Sequence, residues 1–382
     1  MKRGFARTLT AACLTMAIQQ GAEAQEAKPA NRQEAVEVVR ELRHIVAPNG
    51  IERSEAVRIG GIDQYVSIRG SDRRNPVLLI IHGGPGFPTM PLAWWGTHGL
   101  EEYFTVVHWD QRGAGKTYRL NDPKAVAPTM TMKRFVDDTE ELVGWLRSQL
   151  GKDKVFVLGT SWGSYVGLEF ARRRPEWLHA YIGMGQLANS PESERRGYAY
   201  ALAAARKAGN AQAIADLESI APYAAPGKPV PLKSIQLERK WSDYFGGIMA
   251  YRQHQMDSVA VRLSPDYSDE EAAHVYDGNG FSEGFFLSPI LSVDFDGVTR
   301  LDCPLVIFAG RHDRTVNSTV AREWFDHIRA PAKQFVWFEN SAHEIMVEEP
   351  GKFLLTLVEK VRPLAGSDSP DRQGQPPSPA SK

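Results

Sequence analysis

The chain has 382 residues, of which 42% are hydrophobic and 24% are charged, and its formal net charge is -1. This composition is typical of a globular protein that is long enough for one large domain with an insertion. The near-neutral charge, without a basic run, argues against nucleic acid as the main ligand. Beyond the N-terminal region no stretch approaches the roughly 18 apolar residues of a membrane-spanning helix, so we expect no membrane span in the mature chain.

The first 24 residues have the three regions of a secretory signal peptide. Basic residues lie within 1–7, a moderately apolar run covers 8–18, and small residues precede Gln25. This order predicts export to the periplasm or the medium, with cleavage after Ala24. The mature chain would then contain one cysteine, Cys303, which cannot form an internal disulfide and for which we expect a buried structural role.

The first half of the predicted core, residues 25–186, combines apolar runs with helical patterns. The run at 77–81 is continuously apolar, as expected of a strand that is buried on both faces. In chain order we predict a helix at 34–45, strands at 56–59, 65–68, 77–81 and 105–109, a helix at 132–150, a strand from 155, a helix at 162–174 and a strand at 180–185.

The pattern changes between residues 187 and 295, where Ala-rich helical stretches and aromatic residues replace the strands. We interpret this segment as a helical insertion that forms a lid over the catalytic face. Strands at 304–309 and 334–338 and helices at 318–328 and 352–361 then complete the core over 296–364. Residues 365–382, rich in Ser, Pro and Gly, are predicted to be disordered. The predicted fold class is α/β, a mostly parallel sheet with helices on both faces.

The pattern Gly159-Thr-Ser-Trp-Gly163 lies between an apolar strand and a helical pattern. A serine at the tip of such a turn has its hydroxyl exposed beyond the sheet, and the flanking glycines let strand and helix approach closely. A Gly/Ser loop without a catalytic function could have the same sequence. The strand before and the helix after favour Ser161 as a catalytic nucleophile.

A serine hydroxyl needs a base that removes its proton and a carboxylate that orients the base. Asp313 follows the predicted strand at 304–309, and His343 follows the strand at 334–338. The C-terminal ends of parallel strands meet at one edge of the sheet, so we expect both to converge on Ser161. The order Ser, Asp, His is that of the α/β-hydrolase arrangement. An unperturbed histidine titrates at about 6.5, which predicts a rate that rises with pH near neutrality.

Other residues compete for these roles. His312 is an alternative base, but it lies on the same loop as Asp313 and cannot easily reach Ser161. Asp294 and Asp302 are alternative acids, but both precede the strand and so lie at its wrong end.

The glycine cluster His82-Gly-Gly-Pro-Gly86 at the end of a central strand leaves backbone N–H groups free to point at an anion, as an oxyanion hole requires. With Asp110-Gln-Arg-Gly-Ala-Gly115 and the Ser161 motif, it resembles the proline iminopeptidase family of α/β-hydrolases. The resemblance covers the core on either side of the insertion. It implies removal of an N-terminal residue, often proline, through an acyl-enzyme, with the oxyanion amides at Gly84 and Trp162.

Members of that family hold the free amine of the substrate with lid glutamates, which makes Glu192, Glu194 and Glu283 candidates here. For Glu192 we favour a structural role, because Ser190 reads as an N-cap and Pro191 as the first helical residue, and acids in a first turn suit the helix dipole. Glu194 and Glu283 stay open as substrate-binding residues.

The sequence therefore predicts a serine hydrolase that acts on a small peptide, amide or ester by acyl transfer, without a metal or an organic cofactor. An aminopeptidase of the proline iminopeptidase type is the first hypothesis. An exported carboxylesterase or amidase without free-amine recognition is the second. A ligand-binding receptor on a hydrolase fold is the third, and an assay with a general ester would separate it from both enzymes. The sequence leaves the oligomeric state undetermined.

Overall fold

The computed structural model describes residues 28–251 and 255–368. The predicted signal peptide lies outside the described residues, as does the chain from 369 onward, so export and most of the disordered tail stay predictions. A short 3-10 helix runs over Arg362–Asp368. Gly366 interrupts this helix with a φ of 66° and a ψ of -138°, so the predicted start of the tail at residue 365 stays a prediction.

Eight strands form a single sheet in the described residues. They are β1 (Ile51–Ile59), β2 (Ile62–Gly70), β3 (Val77–Ile81), β4 (Thr105–Asp110), β5 (Val155–Thr160), β6 (Leu178–Met184), β7 (Leu305–Gly310) and β8 (Lys333–Phe338). The strand order is β1-β2-β4-β3-β5-β6-β7-β8. Only the pairs β1–β2 and β2–β4 are antiparallel. The predicted mostly parallel α/β sheet is confirmed.

The helices surround this sheet and fill the segment between β6 and β7. Their bounds are α1 (Arg32–Leu42), α2 (Ala93–Gly96), α3 (Gly115–Leu120), α4 (Pro123–Val126), α5 (Met132–Leu150), α6 (Trp162–Arg173), α7 (Ser190–Ala208), α8 (Ala211–Ser219), α9 (Leu232–Tyr244), α10 (Gln255–Arg262), α11 (Asp269–Ala273), α12 (Asp277–Ile290), α13 (Ser318–His327), α14 (Ile345–Glu348) and α15 (Pro350–Thr356). Short 3-10 turns lie at Met90–Leu92, His98–Glu102, Ala127–Thr129 and Pro175–Trp177, and a π-helical turn lies at Leu357–Val361.

Both faces of the central strands are buried. Leu79 of β3 and Val157 of β5 belong to the core on one face, with residues of α5, α6 and α13. Their neighbours Leu78 and Phe156 belong to the core on the other face, with residues of α15. All four side chains are fully buried, which explains why the strand sequences are continuously apolar and do not alternate.

The first two strands are longer than predicted because they form a hairpin. β1 and β2 pair along their whole length, from Ile51 opposite Gly70 to Ile59 opposite Ile62. Exposed positions in β1 and buried polar residues such as Gln64 and Arg69 in β2 break the apolar pattern on which the sequence prediction depended. Helix α5, in contrast, has the predicted bounds, since Thr131 caps its first turn and Gly151 ends it with a φ of 61°.

The segment between β6 and β7 contains α7 to α12. Helices α7, α8 and α9 share a small core of their own, which includes Ala201, Leu217 and Trp241. Helix α12 packs instead against the main core through Phe286, which is 1% exposed. Complete burial of one phenylalanine contributes about 1.5–3 kcal/mol, so this half of the lid is held on the core by its own apolar contacts.

Across the ranges 28–251 and 255–368, none of the helices combines the length and the apolar character needed to cross a membrane.

Candidate active site

Ser161 lies at the junction of β5 and α6, with a φ of 50° and a ψ of -119°. A positive φ is uncommon for a residue other than glycine and is the strained turn expected of a presented nucleophile. The turn depends on close approach: a Cβ on Gly159 would lie 2.3 Å from the Gly163 carbonyl oxygen, and a Cβ on Gly163 would lie 2.1 Å from the Ile81 carbonyl oxygen. Glycine at both positions therefore lets α6 begin directly above β5 and β3.

Asp313 and His343 lie in the loops after β7 and β8, and the structure brings them together. His343 Nδ1 donates to Asp313 Oδ2 at 2.8 Å. Asp313 Oδ1 accepts from the backbone amides of Thr315 and Val316, at 3.0 and 2.9 Å. Three donors thus fix a carboxylate that is 1% exposed, and the imidazole keeps Nε2 for another partner.

The pKa of His343 reflects two opposing influences. Burial alone would lower it, because burial disfavours the imidazolium. The Asp313 carboxylate outweighs burial through its charge and its hydrogen bond, Glu344 adds to the effect, and the pKa rises from 6.5 to about 9. The pKa of about 6.5 expected for an unperturbed histidine is therefore too low. The sequence does not give the distance between His343 and Asp313, on which the increase depends.

Ser161 and His343 line one cavity of about 300 Å³. The imidazole packs on Gly185, where an added Cβ would lie 2.8 Å from His343 Cε1. The residue before, Met184, accepts a hydrogen bond from the Ser161 amide at 2.9 Å. Among the described hydrogen bonds none joins the Ser161 hydroxyl to His343. The two residues are related in the structure by lining the same cavity.

The loop after β3, residues 82–86, faces the nucleophile. Gly83 and Gly84 line the cavity, and a Cβ on Gly83 would lie 3.0 Å from Ser161 Cβ. Gly84 has a φ of 106°, which favours glycine. Trp162 is the first residue of α6, where helix geometry leaves the N–H without an intrahelical acceptor. The two amides that the resemblance implies as the oxyanion hole thus lie on either side of Ser161.

The rest of the cavity wall is mainly apolar, with Phe87, Leu92, Trp95, Ile248 and Met346 among its members. Glu283 of α12, one of the two predicted substrate-binding residues, also lines it. Burial raises the pKa of the Glu283 carboxyl, an effect that a hydrogen bond from Asn279 partly offsets. A half-buried carboxylate in this position is one that a cationic ligand would stabilise.

The other predicted substrate-binding residue, Glu194, does not line this cavity. Its side chain is 3% exposed and forms an ion pair with Arg239 of α9. Its second carboxylate oxygen accepts from the Tyr223 hydroxyl at 2.7 Å. The Glu194 carboxylate therefore already has a cation as its partner, and binding of a substrate amine by Glu194 stays a prediction.

The first turn of α7 has a different N-cap from the one predicted. The N-cap is Asn189 and not Ser190, since Asn189 Oδ1 accepts from the Glu192 amide at 2.9 Å. Glu192 itself forms ion pairs with Arg195 and Arg196, both at 2.7 Å. The structural role favoured for Glu192 therefore fits its surroundings.

The competing acids and base lie away from the cavity. His312 contacts Tyr251, with 3.2 Å between Nε2 and the tyrosine hydroxyl. Asp302 pairs with Arg300 at 2.6 Å on the surface, and Asp294 accepts from the Asp296 amide at 2.8 Å.

A connector segment, residues 247–251, joins the inserted helices to the loops of Asp313 and His343. The Arg314 amide, next to Asp313, donates to the Gly247 carbonyl at 2.9 Å. The His343 amide donates to the Ile248 carbonyl at 2.8 Å. One short stretch of backbone within the insertion is therefore hydrogen-bonded to the loop of Asp313 and to the loop of His343.

Glu348 of α14 strengthens the same connection. Its Oε1 accepts from the Ala250 amide and its Oε2 from the Ala342 amide, both at 2.7 Å. The carboxylate thus bridges the connector segment and the residue before His343. The sequence analysis missed Glu348, and no local signal separates it from its neighbour Glu349.

Cys303 is buried, as predicted, and burial raises the pKa of its thiol to about 12. Within the described part of the chain, no group of three or more His, Cys, Asp or Glu side chains has the arrangement of a metal site.

Comparison with known families matches the alpha/beta hydrolase fold to residues 76–350. Among curated proteins, the chain is 30% identical over 309 residues to the probable aminopeptidase YbaC of Bacillus subtilis (strain 168), covering 80% of this chain and 94% of that protein. It is 26% identical to a proline iminopeptidase of Saccharolobus solfataricus, covering 79% of this chain and 90% of that protein.

Among solved structures, the proline iminopeptidase-related protein of Thermus thermophilus superposes with a TM-score of 0.55 at 23% identity. The match covers 81% of this chain and 96% of that one. At this identity the likeness concerns the fold.

Proposed function

The chain belongs to the α/β-hydrolase family and is a hydrolase of the proline iminopeptidase type, and from that we propose that it is a serine aminopeptidase. In this proposal it releases the N-terminal residue of a small peptide or amide by acyl transfer. The observation that carries the proposal is that Ser161, His343 and the Glu283 carboxylate line one cavity.

The hydrogen bonds already present in the site determine which atoms can take part in acyl transfer. His343 Nδ1 is hydrogen-bonded to Asp313, so Nε2 takes the proton from the Ser161 hydroxyl as Oγ bonds to the substrate carbonyl carbon. The imidazolium that forms is stabilised by Asp313, and it then donates its proton to the leaving amine. Water repeats the two transfers and releases the acyl group as an acid.

The amides of Gly84 and Trp162 would hold the carbonyl oxygen as it becomes an oxyanion. Removal of a single oxyanion donor typically lowers kcat by about 10²- to 10³-fold. Both donors belong to the backbone, so side-chain substitution at these positions does not remove them directly.

Glu283 is the proposed partner of the substrate's ammonium group. A hydrogen bond to a charged group contributes about 1.5–3 kcal/mol, and Glu283→Gln keeps the size of the side chain while it removes the charge. We expect kcat/KM for a free-amine substrate to fall roughly ten- to hundredfold. The N-acetylated form of the same substrate should lose little.

The test compares proline p-nitroanilide, its N-acetyl form and p-nitrophenyl butyrate in three proteins: wild type, Glu283→Gln and Glu192→Gln. Glu192 is the matched control, because it is a lid glutamate whose partners, Arg195 and Arg196, lie outside the cavity. The proposal requires a selective loss in Glu283→Gln alone. A wild-type enzyme that prefers the N-acetylated substrate would end the aminopeptidase assignment and leave the hydrolase assignment in place.

A second candidate is an esterase or amidase without amine recognition. The observation that favours it is that Glu194, the other lid acid considered, is neutralised by Arg239, while most of the cavity wall is apolar. Under this hypothesis both Glu283→Gln and the control hydrolyse p-nitrophenyl butyrate at the wild-type rate, and that ester is the best of the three substrates.

A further inference from the structure

Gln111, which follows β4, connects two loops that flank Ser161. Its side chain is completely buried. Nε2 donates to the carbonyl oxygen of His82 at 2.8 Å, and Oε1 accepts from the indole Nε1 of Trp162 at 3.2 Å. Because the sheet order is β4-β3-β5, this side chain extends across the end of β3 to the start of α6. One amide therefore holds both loops.

A third contact involves the backbone of Gln111. Its amide donates to His82 Nε2 at 3.2 Å, and the other ring nitrogen, Nδ1, lies 2.9 Å from the Gly83 carbonyl oxygen. Since a carbonyl only accepts and an amide only donates, the ring carries its proton on Nδ1. Burial lowers the pKa of His82 to about 4, so the ring is neutral and this tautomer persists over the working pH range.

These contacts fix the direction of one of the two proposed oxyanion donors. The Gly83 carbonyl and the Gly84 N–H belong to the same planar trans peptide, so they point in opposite directions. The Gly83 oxygen also accepts from the Phe87 amide at 3.3 Å. With the oxygen held on one side by His82 and Phe87, the Gly84 N–H is directed to the other side.

We propose that Gln111 is a positioning residue for the oxyanion hole, which holds the Gly84 peptide, through His82, and the start of α6, through Trp162, at a fixed separation. This rests on the proposed function, because it takes the amides of Gly84 and Trp162 as the donors. Gln111 does not touch the substrate and acts through the two loops.

Gln111→Met tests the proposal, because methionine has a similar length and cannot make either side-chain hydrogen bond. The matched control is Gln64→Met. Gln64 is equally buried. It accepts from the indole of Trp109 at 2.9 Å and donates to the Ile59 carbonyl at 3.2 Å and to the Asp138 carboxylate at 2.9 Å, but it contacts neither of the loops with the proposed oxyanion amides. Both substitutions remove a buried hydrogen bond between glutamine and tryptophan. Because Gln64 also donates to the buried Asp138 carboxylate, urea unfolding should report a loss of stability for Gln64→Met at least as large as that for Gln111→Met.

The readouts are kcat and KM for p-nitrophenyl butyrate, and the inhibition constants of butyraldehyde and butanol. The aldehyde adds to Ser161 with a bond between Oγ and the carbonyl carbon, and its oxygen then occupies the oxyanion hole, whereas the alcohol cannot form this adduct. In Gln111→Met we expect kcat to fall about ten- to hundredfold and the aldehyde to bind more weakly by a similar factor. KM and alcohol binding should change less than about twofold.

Equal kinetic effects of Gln111→Met and Gln64→Met, or a loss confined to KM, would overturn the proposal. If Gln111→Met does not fold, Trp162→Phe removes the indole donor together with part of a ring that packs on Phe135 and Phe286, and unchanged aldehyde binding in that variant would be equally decisive against the proposal. Ser161→Ala distinguishes failure of the proposed function from failure of the positioning role. Wild-type turnover in Ser161→Ala refutes the proposed function itself, whereas an inactive Ser161→Ala beside an unaffected Gln111→Met refutes only the positioning role.

Discussion

Asp313→Asn removes the charge that keeps the pKa of His343 high, with little change in side-chain volume. In the wild type that pKa is raised from 6.5 to about 9, which corresponds to about 3 kcal/mol of stabilisation of the imidazolium. Because the imidazolium forms as Ser161 attacks, the barrier should rise by at least this amount. We expect kcat to fall by about 10²- to 10⁴-fold.

The same substitution should move the pH dependence downward. His343 must be neutral to accept a proton, so kcat/KM rises as the pH passes through the pKa of the free enzyme. In the wild type this rise should be centred well above 6.5, towards about 9. In Asp313→Asn the main opposing carboxylate is absent and only Glu344 still acts against burial, so the rise should be centred well below that of the wild type, near or below the ordinary histidine pKa of about 6.5.

The assay is kcat/KM between about pH 5 and 10 with p-nitrophenyl butyrate, which has no amine that titrates in this range. Asp302→Asn is the control, because Asp302 pairs with Arg300 at the surface and should leave the profile unchanged. A rise at the same pH in wild type and Asp313→Asn would mean that another group titrates, and the reasoning from the Asp313–His343 pair would fail.

Further expectations concern the nucleophile, the lid acids and stability. Ser161→Ala should lower turnover at least about 10³-fold and abolish labelling by a serine-directed phosphonate, with stability nearly unchanged; labelling at another residue would contradict this. Glu194→Gln should lower the free energy of unfolding by about 1 kcal/mol in urea, because Arg239 loses one carboxylate partner and keeps the other, Glu238. The preference between free-amine and N-acetylated substrates should be preserved, and altered selectivity would contradict the structural role. The raised pKa of His343 contributes stability that is complete below pH 6.5 and is lost as the pH rises through about 9. The difference in unfolding free energy between wild type and His343→Gln should therefore shrink over that interval, and a constant difference would refute it.

The parts of the site that could be predicted from sequence are those fixed by local backbone chemistry. The glycines around Ser161 indicate a close strand-to-helix turn, and both catalytic loops directly follow apolar strands. The parallel sheet then brings Asp313 and His343 to one edge, where they form the 2.8 Å contact. Local signals of this kind need no knowledge of distant contacts.

Contacts between distant segments could not be predicted in this way. Arg239 is 45 positions from Glu194, and nothing in the sequence near either residue indicates that they form a buried ion pair. The N-cap error has another origin, since Asn189 and Ser190 are adjacent and both residue types favour that position. Glu348 was missed because its partners, the Ala250 and Ala342 amides, are backbone groups.

The connector segment divides the insertion into parts that differ in how freely they can be exchanged. Helices α7 to α9 have a core of their own, and none of their residues lines the cavity of Ser161, so exchanging the side chains of that core should leave substrate choice unaltered. Residues 247–251 are bonded to the loops of Asp313 and His343, so a graft that replaces them would also displace the catalytic acid and base. A library for new substrates should therefore vary residues of the insertion that line the cavity, such as Asn279 of α12, and should treat residues 247–251 as part of the catalytic scaffold despite their position within the insertion.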